Sequence, residues 1–214
     1  MTMKKLTISI LLIISFFFCR AQKLNGIQST DYRMHKGFFL SLSAGPNFSG
    51  ISARADGQSD INYNGSGTVL DLKIGGAIKE NLILHATIST DYMSGPKISS
   101  NGESKKASNN FLIGEDFTGA GITYYMMPSN TFLSGSIGLG NFRRMDMDDN
   151  TSVSSDIGFG FQLKAGKEWW ISKRWGLGIA LSYSKINVRN EPENGVLEIL
   201  NSDSFGIHFN ATLN

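Results

Sequence analysis

The chain predicts an all-β fold, an eight-stranded antiparallel up-and-down transmembrane β-barrel, and three observations carry that prediction. After the first 21 residues the apolar side chains recur with a period of 2, and no stretch holds a convincing period of 3.6. The alternating segments number eight, an even count that lets an up-and-down sheet close on itself. The connections between them alternate short and long, which sets tight turns at one end and polar loops at the other.

In chain order, "MTMKKLTISILLIISFFFCRAQ" places Lys4 and Lys5 ahead of an apolar run from Ile8 to Phe18, with small residues at Cys19 and Ala21. Residues 1–21 therefore read as a secretory signal peptide cut after Ala21. A lipoprotein signal acylated at Cys19 is disfavoured, because bulky Phe17 and Phe18 stand where such signals need small residues. Residues 22–36 would follow as an N-terminal periplasmic segment, and 37–214 as the barrel. Loss of the signal takes Lys4, Lys5 and Arg20 but no acid, leaving 17 cations against 18 acids and a net charge of −1. Cys19 is the only cysteine, so its departure excludes a disulfide framework, a thiolate metal site and a cysteine nucleophile from the mature chain. No basic cluster is interleaved with aromatics, which argues against a nucleic-acid partner. No later apolar run approaches the ~20 residues a membrane-spanning helix needs.

Strands are expected near 37–48, 67–79, 81–92, 112–126, 131–142, 154–168, 174–186 and 203–213. The third shows the pattern well: Leu82, Leu84, Ala86, Ile88, Thr90 and Tyr92 share one face, and Ile83, His85, Thr87, Ser89 and Asp91 the other. The fourth is least regular, since Phe117 and Tyr125 break the face made by Ala120, Ile122 and Tyr124. Connections near 80, at 128–130 and at 172–174 are tight, whereas those near 49–66, 93–111, 143–153 and 187–202 are long and polar. The polar faces are rich in Gly, Ser and Ala and carry Asp71, Lys73, His85, Asp91, Asp156, Lys164 and His208. Small side chains suit the cramped interior of an eight-stranded barrel, and a water-facing surface is rarely so poor in Lys and Glu. The Leu, Ile, Phe and Tyr face then meets lipid, with closure satisfying every backbone group; a soluble lipocalin-like barrel would reverse the two faces. Trp169, Trp170 and Trp175 flank one tight turn, with Phe38, Tyr124 and Tyr125 at the same end and Tyr92, Tyr183 and Phe205 at the other, two aromatic belts for two interfaces.

With these features the chain resembles the small outer-membrane β-barrel proteins of Gram-negative bacteria, the OmpA/OmpX-like architecture. The segments "GAGITYYMMPSNTFLSGSIGLG" (119–140) and "GKEWWISKRWGLG" (166–178) also look like paired motifs of an outer-membrane subgroup to which no activity attaches. The resemblance implies an outer-membrane location, contact with outer-membrane lipid and lipopolysaccharide, and insertion by the outer-membrane assembly machinery. The final strand, "SFGIHFNATLN", departs from the pattern by ending in Asn214 rather than in a terminal aromatic.

Catalytic and binding constellations are sparse. Lipid A deacylases carry His and Ser two residues apart, but here His208 is followed by Phe209 and Asn210. His85 and Asp91 share a face six residues apart, roughly 20 Å at strand rise, too far for a dyad. "DMDDN" at 146–150 clusters Asp146, Asp148 and Asp149, the one candidate set of metal ligands, without the turn glycine and distant Glu of a calcium loop. Gly-rich "SGSIGLG" precedes no helix and so makes no phosphate loop. The expected function is a non-enzymatic, monomeric integral outer-membrane protein with surface loops for envelope structure, adhesion or ligand contact, using no catalytic residue and no cofactor. A narrow channel for small or hydrophobic solutes, with room made by Gly158, Gly160, Gly176 and Gly178, is the second class, and a lipid-modifying enzyme the third.

Overall fold

The computed structural model describes residues 33–55, 57–191 and 196–214. The expected signal peptide and most of the segment 22–36 lie outside them. Eleven strands follow in order: β1 (Phe38–Ala55), β2 (Ile61–Lys79), β3 (Leu82–Ser94), β4 (Lys97–Ser100), β5 (Glu103–Lys106), β6 (Phe111–Met126), β7 (Thr131–Asp146), β8 (Thr151–Ser154), β9 (Gly158–Trp170), β10 (Trp175–Asn190) and β11 (Glu198–Leu213). Eight of them, β1, β2, β3, β6, β7, β9, β10 and β11, pair antiparallel with their neighbours, and β11 pairs back onto β1. The sheet is therefore a closed eight-stranded barrel, as the alternation predicts. Among the described residues no helix is long and apolar enough to cross a membrane.

Apart from β9, which begins at Gly158 rather than near 154, the strands run further than expected at the long-connection end, and the reason is a change of phase. Along β10, Leu177, Ile179 and Leu181 face outward and Gly178 and Ala180 inward, but beyond Tyr183 the outward residues are Lys185, Asn187 and Arg189, and the buried ones Ile186 and Val188. In β1 likewise, Leu42 and Phe48 point out and Ser41, Ser43 and Asn47 in, until Ile51 and Ala53 turn up inside. Toward the tight-turn end the barrel is apolar outside and polar inside; its extension at the long-connection end is the reverse, as for a barrel surrounded by water. A reading keyed to the first phase loses each strand where the second begins. The expected loop at 49–66 is consequently mostly strand, β1 reaching Ala55 and β2 starting at Ile61.

The expected loop 93–111 contains the β4–β5 hairpin, with β4 pairing onto β2. Its turn is built on Asn101 and Gly102, both at positive φ (51° and 81°). Asn-Gly between short alternating segments is the strongest short-range hairpin signal, and the sequence reading passed over it. The loop at 143–153 is shortened by the extension of β7 and by β8, which pairs with it. At the tight-turn end Asn81 and Asn130 take positive φ (64° and 53°), a conformation that Asn tolerates better than other residues with a Cβ.

The outward face carries a continuous apolar population: Leu70, Ile74, Leu84, Ile88, Ile122, Leu133, Ile137, Leu139, Leu163, Ile179, Ile207 and Phe209 are all exposed. Phe38, Tyr124, Trp169 and Trp175 are exposed at the tight-turn end, which makes them the belt. Tyr125 and Trp170 depart from that expectation: Tyr125 is fully buried and Trp170 lies against His35, 4.8 Å between ring centroids. Phe117 is also buried, so the two residues that broke the regularity of the fourth strand are inward-pointing rings.

Candidate functional site: the barrel lumen

Inward side chains stack in layers. At the tight-turn end Phe39, Ile83, Tyr125, Phe132 and Ala180 form an apolar floor. His35, just ahead of β1, closes it from below: its ring stacks on Tyr125 at 3.5 Å, its Nε2 lies 2.8 Å from Asn130 Oδ1, and its backbone N–H donates to Asn81 Oδ1 at 3.0 Å. Burial holds the His35 imidazole below its usual pKa, with the amide of Asn130 only partly offsetting the lost hydration. His35, although it precedes β1, is thus part of the barrel's closure.

Above the floor lies a charged network. Asp71 accepts from Lys164 Nζ at 2.7 Å and from Gln162 Nε2 at 2.9 Å, with Lys73 Nζ 3.8 Å away. Lys73 Nζ donates to Gln162 Oε1 at 2.8 Å, and Lys164 Nζ to Ser43 Oγ at 3.1 Å. Partnering of this kind is what a narrow interior demands, because an unpaired buried ion costs on the order of several kcal/mol. His85 bonds with Thr87 and Thr123, and His208 Nε2 lies 2.7 Å from Ser182 Oγ.

One expectation about the lumen needs correction, and two buried acids add to it. Asp156 is not inside: it is exposed between β8 and β9, and its carboxylate accepts from the Glu191 backbone. Asp91 is buried, but its partner is Asn47 Nδ2 at 2.8 Å rather than a cation, and the residue directly opposite it is Glu115. Glu115 and Glu168 are buried acids that sequence reasoning missed. Ser202 and Ser204 serve Glu115 at 2.7 and 3.1 Å, and Thr212 serves Glu168 at 2.7 Å. Strict alternation from Phe117 back to Glu115, and from Lys164 on to Glu168, was the signal that would have found them. Hydroxyl donors, not lysines, serve Glu115 and Glu168, and Glu168 Oε2 is left without a hydrogen-bond partner.

An apolar cap closes the far end, where Ile51, Ala53, Met93, Ile113, Phe117, Phe142, Ile186, Val188 and Leu200 pack together. The space between floor and network, lined by Lys73, Glu168 and Asn210 among others, measures about 10 Å³, room for one water at most. The glycines that were to make room for a solute do not. A Cβ on Gly158 would meet Asn187 O at 2.0 Å and one on Gly178 Lys167 O at 2.4 Å; on Gly160 and Gly176 the side chains of Ile186 and Glu168 stand at 3.1 Å.

Among the described residues, no group of three or more His, Cys, Asp or Glu is placed to hold a metal ion. Asp146 and Asp148 instead organise their own turn, Asp146 Oδ1 accepting from the Asp148 backbone and Asp148 Oδ1 from Asn110 Nδ2, while Asp149 is exposed. The Ser182–His208 contact resembles half of a hydrolytic triad, but His208 Nδ1 has no hydrogen-bond partner to orient it and the ring lies inside the barrel.

No protein-family model and no curated protein matches the sequence. Solved structures do match in fold. The Neisserial surface protein A structure aligns at a TM-score of 0.52 and 13% identity, over 83% of this chain and 96% of that one. Outer membrane protein OprG of Pseudomonas aeruginosa gives 0.49 and 14%, over 86% and 100%. The Escherichia coli outer membrane protease OmpT gives 0.45 and 9%, over 87% and 99%. The chain has the fold of the small eight-stranded outer-membrane barrels.

Proposed function

We propose that this protein is a closed, non-conducting and non-enzymatic integral outer-membrane protein, whose barrel anchors an outer extension that presents loops to the surroundings. The observation that carries this reading is the filled lumen: an apolar floor under His35, a hydrogen-bonded charged layer, and an apolar cap. The exposed apolar belt supports lipid as the barrel's surroundings, because such a surface in water is an aggregation liability. Lipopolysaccharide and the other outer-membrane lipids are then the molecules it touches, and the outer-membrane assembly machinery the partner that inserts it. Closure leaves no membrane-level strand edge to pair with a second copy, which favours a monomer.

Fractionation tests the location: the chain is expected with the outer membrane, migrating faster unboiled than boiled. Recovery in the soluble periplasm overturns it. Protease added to intact cells should cut in the connections around 56–60, 101–110, 147–150 or 191–197, and a tag inserted at 128–130 should stay inaccessible.

A further inference from the structure

We propose that the cleft between β2 and the β4–β5 hairpin is an anion site that takes the phosphate or sulfate ester groups of a saccharide. It measures about 390 Å³, within the range of ligand pockets, and is lined by Lys97, Lys105, Lys106, Asn64, Ser66 and Ser104. Lys97 stands directly opposite Lys106 in the hairpin register, an arrangement that is destabilising for like charges. Among the described residues none of the three has an ion-pair partner, although Arg54, Arg143 and Lys185 elsewhere on the outer extension are each paired with an aspartate. The hollow is lined by three lysines, of which Lys97 and Lys106 are cross-strand partners on one face of the hairpin, together with hydroxyl and amide side chains, the donor types a phosphate or sulfate ester requires.

The charge distribution of the outer connections points the same way. Residues 93–111 hold three lysines against the single acid Glu103, whereas 143–153 hold two arginines against three aspartates, and 187–202 hold one arginine against three glutamates. The segment 49–66 has one arginine and two aspartates. The hairpin is the one basic segment of an otherwise acidic outer face. Edge protection accounts for part of this, since lysine on a free strand edge blocks pairing with another chain, and β5 has such an edge. It does not account for Lys97, which sits on β4 between β2 and β5.

The inference rests on the reading of the long-connection end as outward-facing, but the binding itself is measured on purified protein and survives if only the orientation is wrong. Sulfated dextran oligomers and neutral dextran are titrated against the full chain in phosphatidylcholine nanodiscs, and again in discs containing bisphosphorylated lipid A. Saturable binding of the sulfated oligomer alone is expected, weakened at least tenfold in K97A/K105A/K106A, retained in the triple arginine variant, and falling with added salt. Retention in lipid A discs assigns an external saccharide to the site; loss there assigns the membrane's own phosphates. Both triple variants must keep the faster unboiled migration that marks a closed barrel. Equal affinity of wild type and the alanine triple, an equal loss in R54A/K185A/R189A, or binding of neutral dextran overturns the proposal.

Discussion

Asp71 is the charge on which the lumen turns, because two cations lean on one carboxylate. The arrangement is asymmetric: Lys164 is in direct contact at 2.7 Å, while Lys73 stands at 3.8 Å and is held mainly by Gln162. Lys164→Met is therefore expected to destabilise the barrel by about 3–5 kcal/mol, the usual consequence of stranding a buried ion, and Lys73→Met by clearly less. Asp71→Leu, which strands both lysines, should be the worst of the three, and the urea midpoints of micelle-solubilised protein give the order. His35 supplies a pH dependence. Its folded pKa lies below the value of about 6.5 that it has in the unfolded chain, so the unfolded state binds the proton more readily. Its contribution to stability is then complete above about pH 6.5 and is lost as pH falls toward the folded value. The difference in urea midpoint between wild type and His35→Gln, followed from pH 8 down to 5, should shrink with acidity; a constant difference removes His35 from the closure.

At the scale of elements, the strands carry two hydrophobic phases in one continuous stretch of backbone, and the glycines allow their close approach. A Cβ at position 45 would lie 1.9 Å from Ile207 O across the β1–β11 seam, so Gly45→Ala forces the closing strands apart. A loss of about 1–3 kcal/mol is expected, as for overpacking elsewhere. At Gly135 the nearest atom to a Cβ is Leu163 Cδ2 at 3.7 Å, ordinary contact, and Gly135→Ala should unfold like wild type in the same urea titration. The two phases also explain which strands were legible. Period 2 places every barrel strand and the facing of most residues along it. The ends were missed because the periodicity persists while its polarity inverts, and the β4–β5 hairpin because four-residue strands are too short for a period to show.

For the whole molecule, closure is redundant. Floor, network and cap are stacked along the lumen, so removal of one is not expected to open a path. Purified protein in planar bilayers is expected to show no steady ion-selective conductance, and His35→Ala, which takes away only the lower stopper, should not conduct either. A large stable conductance in the wild-type protein would make the narrow channel the better reading. Conductance confined to His35→Ala would show that the layers above the floor do not seal.

What the sequence by itself determined is the class of fold and the apolar, outward side of each strand, because alternation in a closed sheet has only two faces and one of them is nearly free of charge. It also marked six of the inward ionisable residues, Asp71, Lys73, His85, Asp91, Lys164 and His208. The tertiary structure decided how they are satisfied. Partners come from strands far apart in sequence, as Asp71 and Lys164 do, and which two strands become neighbours across a lumen depends on tilt and stagger that no local pattern encodes. The same holds for Asp91 opposite Glu115, where the register of a strand pair sets two acids side by side.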